Sequence, residues 1–308
     1  MDPKQHIIKI LNLADHVISG ETLSEALGIS RVAVWKHIQA LVQSGVPIVA
    51  SSKGYQLEND PDNLQPWAFS ARQKRIHYHP QTLSTMDDAT ELARQGCPNF
   101  TVVVADRQTQ GRGRMQRDWL SGEGGLYFSV VVRPDIPMLL VGLINLAAAV
   151  DMAELLRSDY QIDAGVKWPN DILVGKHKIC GILSQLEAEG EQVAYINIGI
   201  GLNVNNTAQT DEPVAVSMKS LLGRSVPRRE ILTGFLDRFE KRMAAFDSQK
   251  VVDQWKALNV TIGQRVRVFT IKDMIEGAAV DIDDHGGLIV RQADGAMKTV
   301  LVGDCFHR

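Results

Sequence analysis

Three arginines stand close together in segment 108–119, whose sequence is QTQGRGRMQRDW. A guanidinium presents a planar fork that matches carboxylate or phosphate oxygens, and glycines let backbone N–H groups approach such a ligand closely. Arg112, Arg114 and Arg117 offer more forks than one carboxylate needs, so the segment predicts a loop that binds a phosphorylated intermediate or a nucleotide. A basic loop in contact with solvent is the alternative if the segment is considered alone.

A second segment, 167–183, carries further groups that could do chemistry. Its sequence KWPNDILVGKHKICGIL predicts a β-hairpin with a Gly-Lys turn. Asn170 and Asp171 supply hard oxygens that suit Mg²⁺, and Lys178 supplies a point charge that can reach a carboxylate or a phosphate. An ordinary surface hairpin could carry the same residue types.

The two segments together resemble the biotin protein ligase family. The resemblance rests on motifs that occur in the family's order along most of the chain. They are Ser84-Thr85, Gln108, Gly-Arg-Gly-Arg at 111–114, Lys-Trp-Pro-Asn-Asp at 167–171 with Lys178 and Gly181, and Gly-Ile-Gly-Leu-Asn at 199–203. At the third position of the Ser-Thr motif the family has Asn, whereas this chain has Met86, with Asp87 as the candidate replacement.

The resemblance implies a reaction that uses ATP, Mg²⁺ and biotin. The expected biotin contacts are Ser84, Thr85, Met86, Gln108, Arg112, Gly113, Arg114 and Lys178. The expected nucleotide contacts are Arg114, Arg117, Trp119, Asn170 and Asn203. The expected catalytic residues are Lys178, Arg112 and Asp171, and Asp171 is also the expected Mg²⁺ ligand.

Adenylation of biotin explains why cations are needed. The biotin carboxylate must attack the α-phosphorus of ATP, and both reactants are anions. Two like charges about 4 Å apart repel by about 4 kcal/mol at an effective dielectric of about 20, and Lys178 and Arg112 are the candidates to offset this repulsion. In a second step, the amine of a carrier-protein lysine loses a proton as it attacks the mixed anhydride, and Asp171 is the candidate base.

Composition is that of an ordinary globular protein. The 308 residues are 44% hydrophobic and 22% charged with a formal net charge of −3, so any nucleic-acid contact must be local. Cys97, Cys180 and Cys305 form no CxxC pair, which disfavours disulfides and zinc sites. The N-terminus lacks a signal-peptide pattern, and the apolar stretch 138–150 is shorter than the roughly 20 residues that span a bilayer. We therefore expect a cytoplasmic protein without membrane contact.

The first 62 residues predict a winged helix-turn-helix domain. Helical periodicity appears in 6–14 and 22–27, and a third helix begins at Arg31 after the N-cap Ser30. A hairpin over 46–57 follows and would form the wing.

The third helix has the layout of a DNA recognition helix. We expect one apolar stripe of this helix to be buried, formed by Val34, Ile38, Leu41 and Val42. The predicted DNA contacts are Ser30, Arg31, Trp35, Lys36, Gln39 and Lys53. Segment 26–57 has three basic residues and no acidic ones, which favours DNA binding. The alternative is a winged helix for protein contacts, with Trp35 as an interface anchor.

The rest of the chain predicts two further domains. A polar segment, 60–66, predicts a linker to a ligase domain over 66–260, and the resemblance implies a mixed sheet similar to that of class II synthetases. Within it, 207–216 predicts either a mobile lid or a surface loop. Four short strands predict a small antiparallel barrel over 261–308, which the resemblance implies to be of the Src-homology-3 type. The expected fold class is therefore a multidomain α+β protein.

Some local elements of the ligase domain are also predicted. The expected strands are 76–78, 101–105, 126–132, 172–174, 179–186 and 193–204, and the expected helices are 86–94 and 139–156. Ser84 and Thr85 stand where they could cap the 86–94 helix, which is a structural alternative to a role in binding.

With the N-terminal domain included, the chain resembles the bifunctional form of the family. That form implies activation of biotin to biotinyl-5'-AMP with ATP and transfer of biotin to a lysine of the biotin carboxyl carrier protein. It also implies repression of the biotin operon by a homodimer on operator DNA, with biotinyl-5'-AMP as corepressor. A transcription factor that only senses a ligand and a lipoyl-type ligase are the alternatives. Lys178 argues against the first alternative, and the Lys-Trp-Pro-Asn-Asp motif argues against the second.

Overall fold

The computed structural model describes residues 2–14, 16–58, 62–190, 192–207, 215–270 and 273–307. The chain forms two compact units, Met1–Gln73 and Lys74–Arg308. The 3₁₀ helix Pro66–Arg75 spans their boundary, and its Trp67 packs against the hydrophobic core of the first unit. Residues 60 and 61 of the predicted linker lie outside the described residues.

In the described residues, the first unit contains three helices and an antiparallel hairpin. They are α1 (Pro3–Asn12), α2 (Gly20–Leu27), α3 (Arg31–Gln43), β1 (Ile48–Ser51) and β2 (Gly54–Leu57). The hydroxyl of Ser30 caps α3 by accepting a hydrogen bond from Ala33 N at 3.2 Å. Gly28 ends α2 with a φ of 65°, a left-handed conformation that glycine adopts without strain. The predicted order of helices and hairpin is confirmed.

One face of α3 lies at the centre of the core of this unit. Val34, Ile38 and Leu41 are buried, as predicted. Val42 is 42% exposed, so its assignment to the buried stripe was wrong. At about 100° per residue, Val42 lies about 80° around the helix from Val34, and the core of this unit does not extend that far around the helix.

A seven-stranded mixed sheet forms the centre of the second unit. Its strands are β3 (Ile76–His79), β4 (Thr101–Ala105), β5 (Leu126–Val132), β6 (Ala164–Lys167), β7 (Asp171–Val174), β8 (His177–Glu189) and β9 (Gln192–Leu202), in the spatial order β3-β4-β5-β9-β8-β7-β6. The neighbours β3 and β4 are parallel, and the other neighbouring pairs of described strands are antiparallel. Every residue of β5 is buried, which explains its continuous apolar sequence.

Five α-helices of the second unit lie in the described residues. They are α4 (Thr85–Arg94), α5 (Val141–Tyr160), α6 (Met218–Leu222), α7 (Arg228–Ala244) and α8 (Ser248–Leu258). Segment 138–160 is long and apolar enough to cross a membrane by length and composition, and 67% of its most apolar window is buried inside the protein. It is longer than the 138–150 stretch noted in the sequence, because α5 continues through charged residues to Tyr160. Its apolar composition is that of a core helix.

A second, five-stranded antiparallel sheet follows the helices. Its strands are β10 (Arg265–Phe269), β11 (Met274–Ile282), β12 (Leu288–Arg291), β13 (Met297–Val300) and β14 (Asp304–His307), in the order β13-β12-β11-β10-β14. This sheet contacts the central domain through Trp168, whose indole Nε1 donates to Gly286 O at 2.9 Å. Four of the strands agree with the sequence prediction, whereas β14 was not predicted.

Candidate active site

A cavity of about 450 Å³ opens beside the central sheet. Every residue predicted to contact biotin or the nucleotide, or to catalyse the reaction, lines this cavity. These residues are Ser84, Thr85, Met86, Gln108, Arg112, Gly113, Arg114, Arg117, Trp119, Asn170, Asp171, Lys178 and Asn203. The fold therefore brings together side chains from segments that are far apart in the sequence.

The arginine loop, residues 111–117, contacts β14. Arg114 Nε lies 3.2 Å from Asp304 Oδ1, and Arg114 Nη2 donates to Gly303 O at 2.9 Å. Arg117 also pairs with Asp304, and its guanidinium carbon lies 5.5 Å from the centroid of the Phe306 ring. In this structure one carboxylate thus holds two of the three arginines expected to bind an anion.

The glycines of the loop stand at close contacts within it. Gly113 N donates to Arg117 O at 2.7 Å, so this N–H group is used inside the loop. A Cβ on Gly111 would lie 2.4 Å from Trp119 O. The glycines therefore allow two parts of the loop to approach each other, where the sequence had suggested an approach of the backbone to a ligand.

The third arginine pairs with the residue that follows Met86. Arg112 Nη2 donates to Asp87 Oδ2 at 2.8 Å, and both side chains are exposed. This contact ties the first turn of α4 to the arginine loop. Asp87 was the candidate replacement for the usual Asn, and its carboxylate is engaged with Arg112 in this structure.

Ser84 and Thr85 do not cap α4 with their side chains. The Ser84 hydroxyl is buried and has no hydrogen-bond partner among the described residues. Thr85 N and Oγ1 both donate to Gln108 Oε1, at 2.8 and 3.0 Å. Gln108 Nε2 in turn donates to Ser121 Oγ at 2.8 Å. The capping alternative is therefore wrong, and a buried hydroxyl without a partner beside a cavity is typical of a ligand-binding atom.

Glycines of the sheet let large side chains lie flat against it. A Cβ on Gly201 would lie 2.4 Å from the Trp119 indole, and one on Gly181 would lie 2.9 Å from the same ring. A Cβ on Gly199 would lie 2.6 Å from Met86 Sδ. A Cβ at any of the three positions would therefore displace Trp119 or Met86 from its place against the sheet.

Asp171 lies between two lysines at the turn from β6 to β7. Lys178 Nζ is 2.6 Å from Asp171 Oδ1, and Lys167 Nζ is 4.0 Å from Asp171 Oδ2. Lys178 Nζ also lies 5.1 Å from the centroid of the Trp119 ring. Burial lowers the pKa of Lys167, and Asp171 opposes this shift. Asn170 Nδ2 donates to Ile182 O at 2.7 Å and so ties the turn to β8.

The donor atoms limit how a metal could bind. No group of three His, Cys, Asp or Glu side chains that could hold a metal ion occurs in the part of the chain that the structure describes. Asp171 offers one carboxylate and is already paired with Lys178. This donor set fits an Mg²⁺ ion that takes most of its ligands from substrate phosphates and water, as this ion often does.

Asn203 is buried at the end of β9. Its Oδ1 accepts a hydrogen bond from Asn206 Nδ2 at 2.9 Å, and its backbone N donates to Ile179 O at 2.9 Å. The predicted lid lies beyond this segment, and its residues 208–214 lie outside the described residues. Val216 N donates to Lys178 O at 3.0 Å, which returns the chain to the site.

The chain matches three known families. Residues 78–203 match the Biotin/lipoate A/B protein ligase family, residues 4–56 match the HTH domain, and residues 261–308 match the Biotin protein ligase C terminal domain. The Bifunctional ligase/repressor BirA of Bacillus subtilis is 36% identical over 96% of this chain and 96% of its own length. The chain belongs to the bifunctional ligase/repressor family of biotin protein ligases.

Other members of the biotin protein ligase family agree with this assignment. The Biotin--[acetyl-CoA-carboxylase] ligase of Mycobacterium tuberculosis is 32% identical over 74% of this chain and 86% of its own length. A solved structure, the biotin protein ligase from Aquifex aeolicus in complex with biotin and ATP, has a TM-score of 0.65 and 28% identity. It covers 76% of this chain, and the match includes 98% of that chain.

Several cavity residues of this family member were missed by sequence reasoning. Asp118, Lys167, Asp304 and Phe306 line the cavity but were given no role. Lys167 belongs to the Lys-Trp-Pro-Asn-Asp motif and could have been found there. Asp304 is 190 positions from Arg114, and no local pattern in the sequence links the two.

A second cavity of about 440 Å³ lies in the helix-turn-helix unit. Arg31, Trp35 and Lys53 of the predicted DNA contacts line it together with Glu21. The indole of Trp35 is exposed, which suits a contact surface. Of the other predicted contacts, Ser30 uses its hydroxyl as a helix cap, and Lys36 and Gln39 do not line this cavity.

Proposed function

We propose that this protein is a biotin protein ligase that also represses transcription. The observation that carries the proposal is the single cavity in which five cations and three carboxylates meet. The cations are Arg112, Arg114, Arg117, Lys167 and Lys178, and the carboxylates belong to Asp118, Asp171 and Asp304. The excess of positive charge suits two anionic reactants, as activation of a carboxylate by ATP requires.

In the first reaction, the carboxylate of biotin attacks the α-phosphorus of ATP, and pyrophosphate leaves. Lys178 and Arg112 offset the repulsion between the two anions, and Arg114 and Arg117 bind phosphate oxygens. Asp171 would hold Mg²⁺ together with the nucleotide phosphates, and the ion would offset phosphate charge there. Ser84, Thr85 and Gln108 bind the uncharged part of biotin, because these polar residues line the cavity.

In the second reaction, the ε-amine of a carrier-protein lysine attacks the acyl carbon, and AMP leaves. An ammonium group cannot act as a nucleophile, so the amine must first lose a proton. Asp171 is the proposed base, because its carboxylate lies beside Lys178 at the cavity. The product is biotin in amide linkage to the biotin carboxyl carrier protein.

The N-terminal unit is the proposed operator-binding domain. The β1–β2 hairpin acts as the wing of a winged helix, and α3 is the recognition helix, with Ser30, Arg31, Trp35, Lys36, Gln39 and Lys53 as its contacts. Biotinyl-5'-AMP acts as corepressor by favouring a homodimer on operator DNA. The proposed domains are 1–62, 66–260 and 261–308, the last a Src-homology-3-type barrel, and the proposed location is the cytoplasm.

One experiment tests the enzymatic part of the proposal. The purified protein is incubated with ATP, Mg²⁺, a biotin carrier domain and either biotin or lipoate. We expect pyrophosphate release and a labelled carrier lysine with biotin, and neither with lipoate. Labelling with lipoate would favour the lipoyl-type alternative, and a lack of pyrophosphate release with both would favour a ligand-sensing transcription factor.

A further inference from the structure

Lys167 is a buried cation whose charge is only partly balanced. Its side chain is 10% exposed and lines the candidate active site. Its Nζ lies 4.0 Å from Asp171 Oδ2, whereas Lys178 Nζ lies 2.6 Å from Asp171 Oδ1. Two ammonium groups therefore share one carboxylate, with the closer contact made by Lys178.

The backbone on both sides holds Lys167 at this position. Lys167 is the last residue of β6 and is paired in register with Asp171 of β7. Val166 O accepts a hydrogen bond from the backbone at residue 260, and Trp168 N donates to the hydroxyl at residue 261, both at 2.9 Å. The backbone of Lys167 is thus held beside Asp171 by the pairing of β6 with β7 and by residues 260 and 261, which do not line the cavity.

The arrangement has a consequence for Lys178. If this lysine turns from Asp171 to the oxygens of an anionic substrate, Asp171 loses its near partner. Before a nucleotide and its Mg²⁺ are bound, a carboxylate that is 16% exposed and left without a cation is costly, so a single lysine would be held back by it. A second ammonium group 4.0 Å away can compensate after a small side-chain movement.

We infer that Lys167 is a positioning residue that neutralises Asp171 when Lys178 leaves this carboxylate to contact the substrate. The inference rests on the proposed function, since it assigns to Lys178 the contact with the reacting anions. Without Lys167, Asp171 retains Lys178, and turnover falls more than substrate binding. Lys167 itself need not touch the substrate.

Kinetics of three variants test this role. Lys167→Met removes the ammonium and keeps an unbranched side chain, and it should lower kcat for adenylate formation about tenfold or more, the effect of losing one charged hydrogen bond. KM for biotin should stay within a few-fold. Lys167→Arg, which keeps the charge, should recover part of kcat. Lys176→Met is the matched control, because Lys176 is exposed on the turn of the same hairpin and should leave both constants unchanged.

A chemical readout without substrate separates this role from a structural one. Acylation of Lys178 by an amine-reactive ester is followed by mass spectrometry in the full-length protein. In Lys167→Met, Lys178 is held more tightly and should be acylated more slowly than in the wild type. A site that has merely loosened would be acylated faster. In an Asp171→Asn background the effect of Lys167→Met should shrink.

Two results would overturn the inference. One is equal or faster acylation of Lys178 in Lys167→Met, and the other is an undiminished effect of that substitution in the Asp171→Asn background. A different result bears on the proposed function alone. If acylation behaves as expected but the wild-type protein forms no biotinyl-5'-AMP, the proposed reaction is wrong while the coupling of the two lysines stands.

Discussion

Lys178 is the charge on which the proposed reaction depends most. Its side chain is 19% exposed and packs beside Asp171 and Trp119 at the cavity. We expect Lys178→Ala to lower the rate of biotin-dependent pyrophosphate release about 100-fold to 1000-fold, as loss of one transition-state contact does. The thermal melting curve should stay close to that of the wild type, because no core contact is lost. Lys176→Ala serves as the control, and a wild-type rate in Lys178→Ala would show that another cation brings the anions together.

We propose that Arg114 retains the intermediate. Its guanidinium lies in the loop over the cavity and has Asp304 and Gly303 as partners in this structure. We expect Arg114→Ala to raise the dissociation rate of biotinyl-5'-AMP about tenfold to 100-fold, since a charged contact to phosphate is lost. The released adenylate should label bystander lysines in an added protein such as albumin. An unchanged dissociation rate would exclude this role for Arg114.

His307 makes stability depend on pH. Burial lowers the pKa of His307 from 6.5 to about 4, and the positive charge of Lys167 contributes to this shift. Between about pH 4 and pH 6.5 the unfolded chain binds the proton and the folded chain does not, so the free energy of unfolding rises with pH across this window. The corresponding stability is lost as the pH falls through the window. His307→Gln should flatten this part of the profile. Urea denaturation of both proteins at several pH values measures the difference, and parallel profiles would contradict the expectation.

Helices and strands were predicted correctly from the sequence where one physical cause acts alone. The β5 strand and α5 are mostly apolar segments, and both were predicted because extensive burial needs no precise periodicity. The short strand β14, with sequence DCFH, has no alternation of apolar and polar residues, and it forms because β10 offers a free edge. Val42 was misassigned for a similar reason, since the width of the buried face depends on what packs against α3.

In the candidate site, too, local contacts could be predicted from the sequence and long-range contacts could not. Residues inside continuous motifs, such as Lys178 and Asp171, could be placed near each other from the sequence, because the hairpin that joins them is local. The partners of the arginine loop could not, because Asp304 reaches the loop through the packing of a separate sheet. The sequence also could not show that Ser84 fails to cap α4, because the position of its hydroxyl depends on the fold.

The glycines beneath Trp119 give a test at this scale. A Cβ at position 201 would lie 2.4 Å from the indole, so Gly201→Ala must displace Trp119 from the sheet. We expect ATP binding, measured by calorimetry, to weaken at least tenfold, because stacking and charge contacts at the site are lost together. Gly122→Ala is the control, since a Cβ there would meet nothing within 4 Å. Equal ATP affinity in the two variants would show that Trp119 does not shape the nucleotide site.

DNA binding by the N-terminal unit should depend on biotinyl-5'-AMP, the intermediate made in the second unit. Residues 1–60 hold five basic and six acidic residues, so we expect one copy to have little phosphate affinity and to bind operator DNA only together with a second copy. We expect biotin plus ATP to tighten operator binding through a coupling of about 1–3 kcal/mol. A titration at fixed salt, with sedimentation of the free protein, measures both affinity and association. Equal affinity in the two states, or a monomer on DNA, would leave a ligase with an accessory DNA-binding unit.

The contact between Arg114 and Asp304 also bears on how the molecule acquires its activity. The two residues are 190 positions apart, so closing this contact requires both sheets to form and meet first. Contacts of such long sequence separation form slowly, because the entropy of a long loop is lost before any interaction repays it. A refolding chain should therefore regain its secondary structure before it can bind nucleotide. The delay between the two signals, circular dichroism and ATP binding, would be a direct measure of how late the arginine loop is completed.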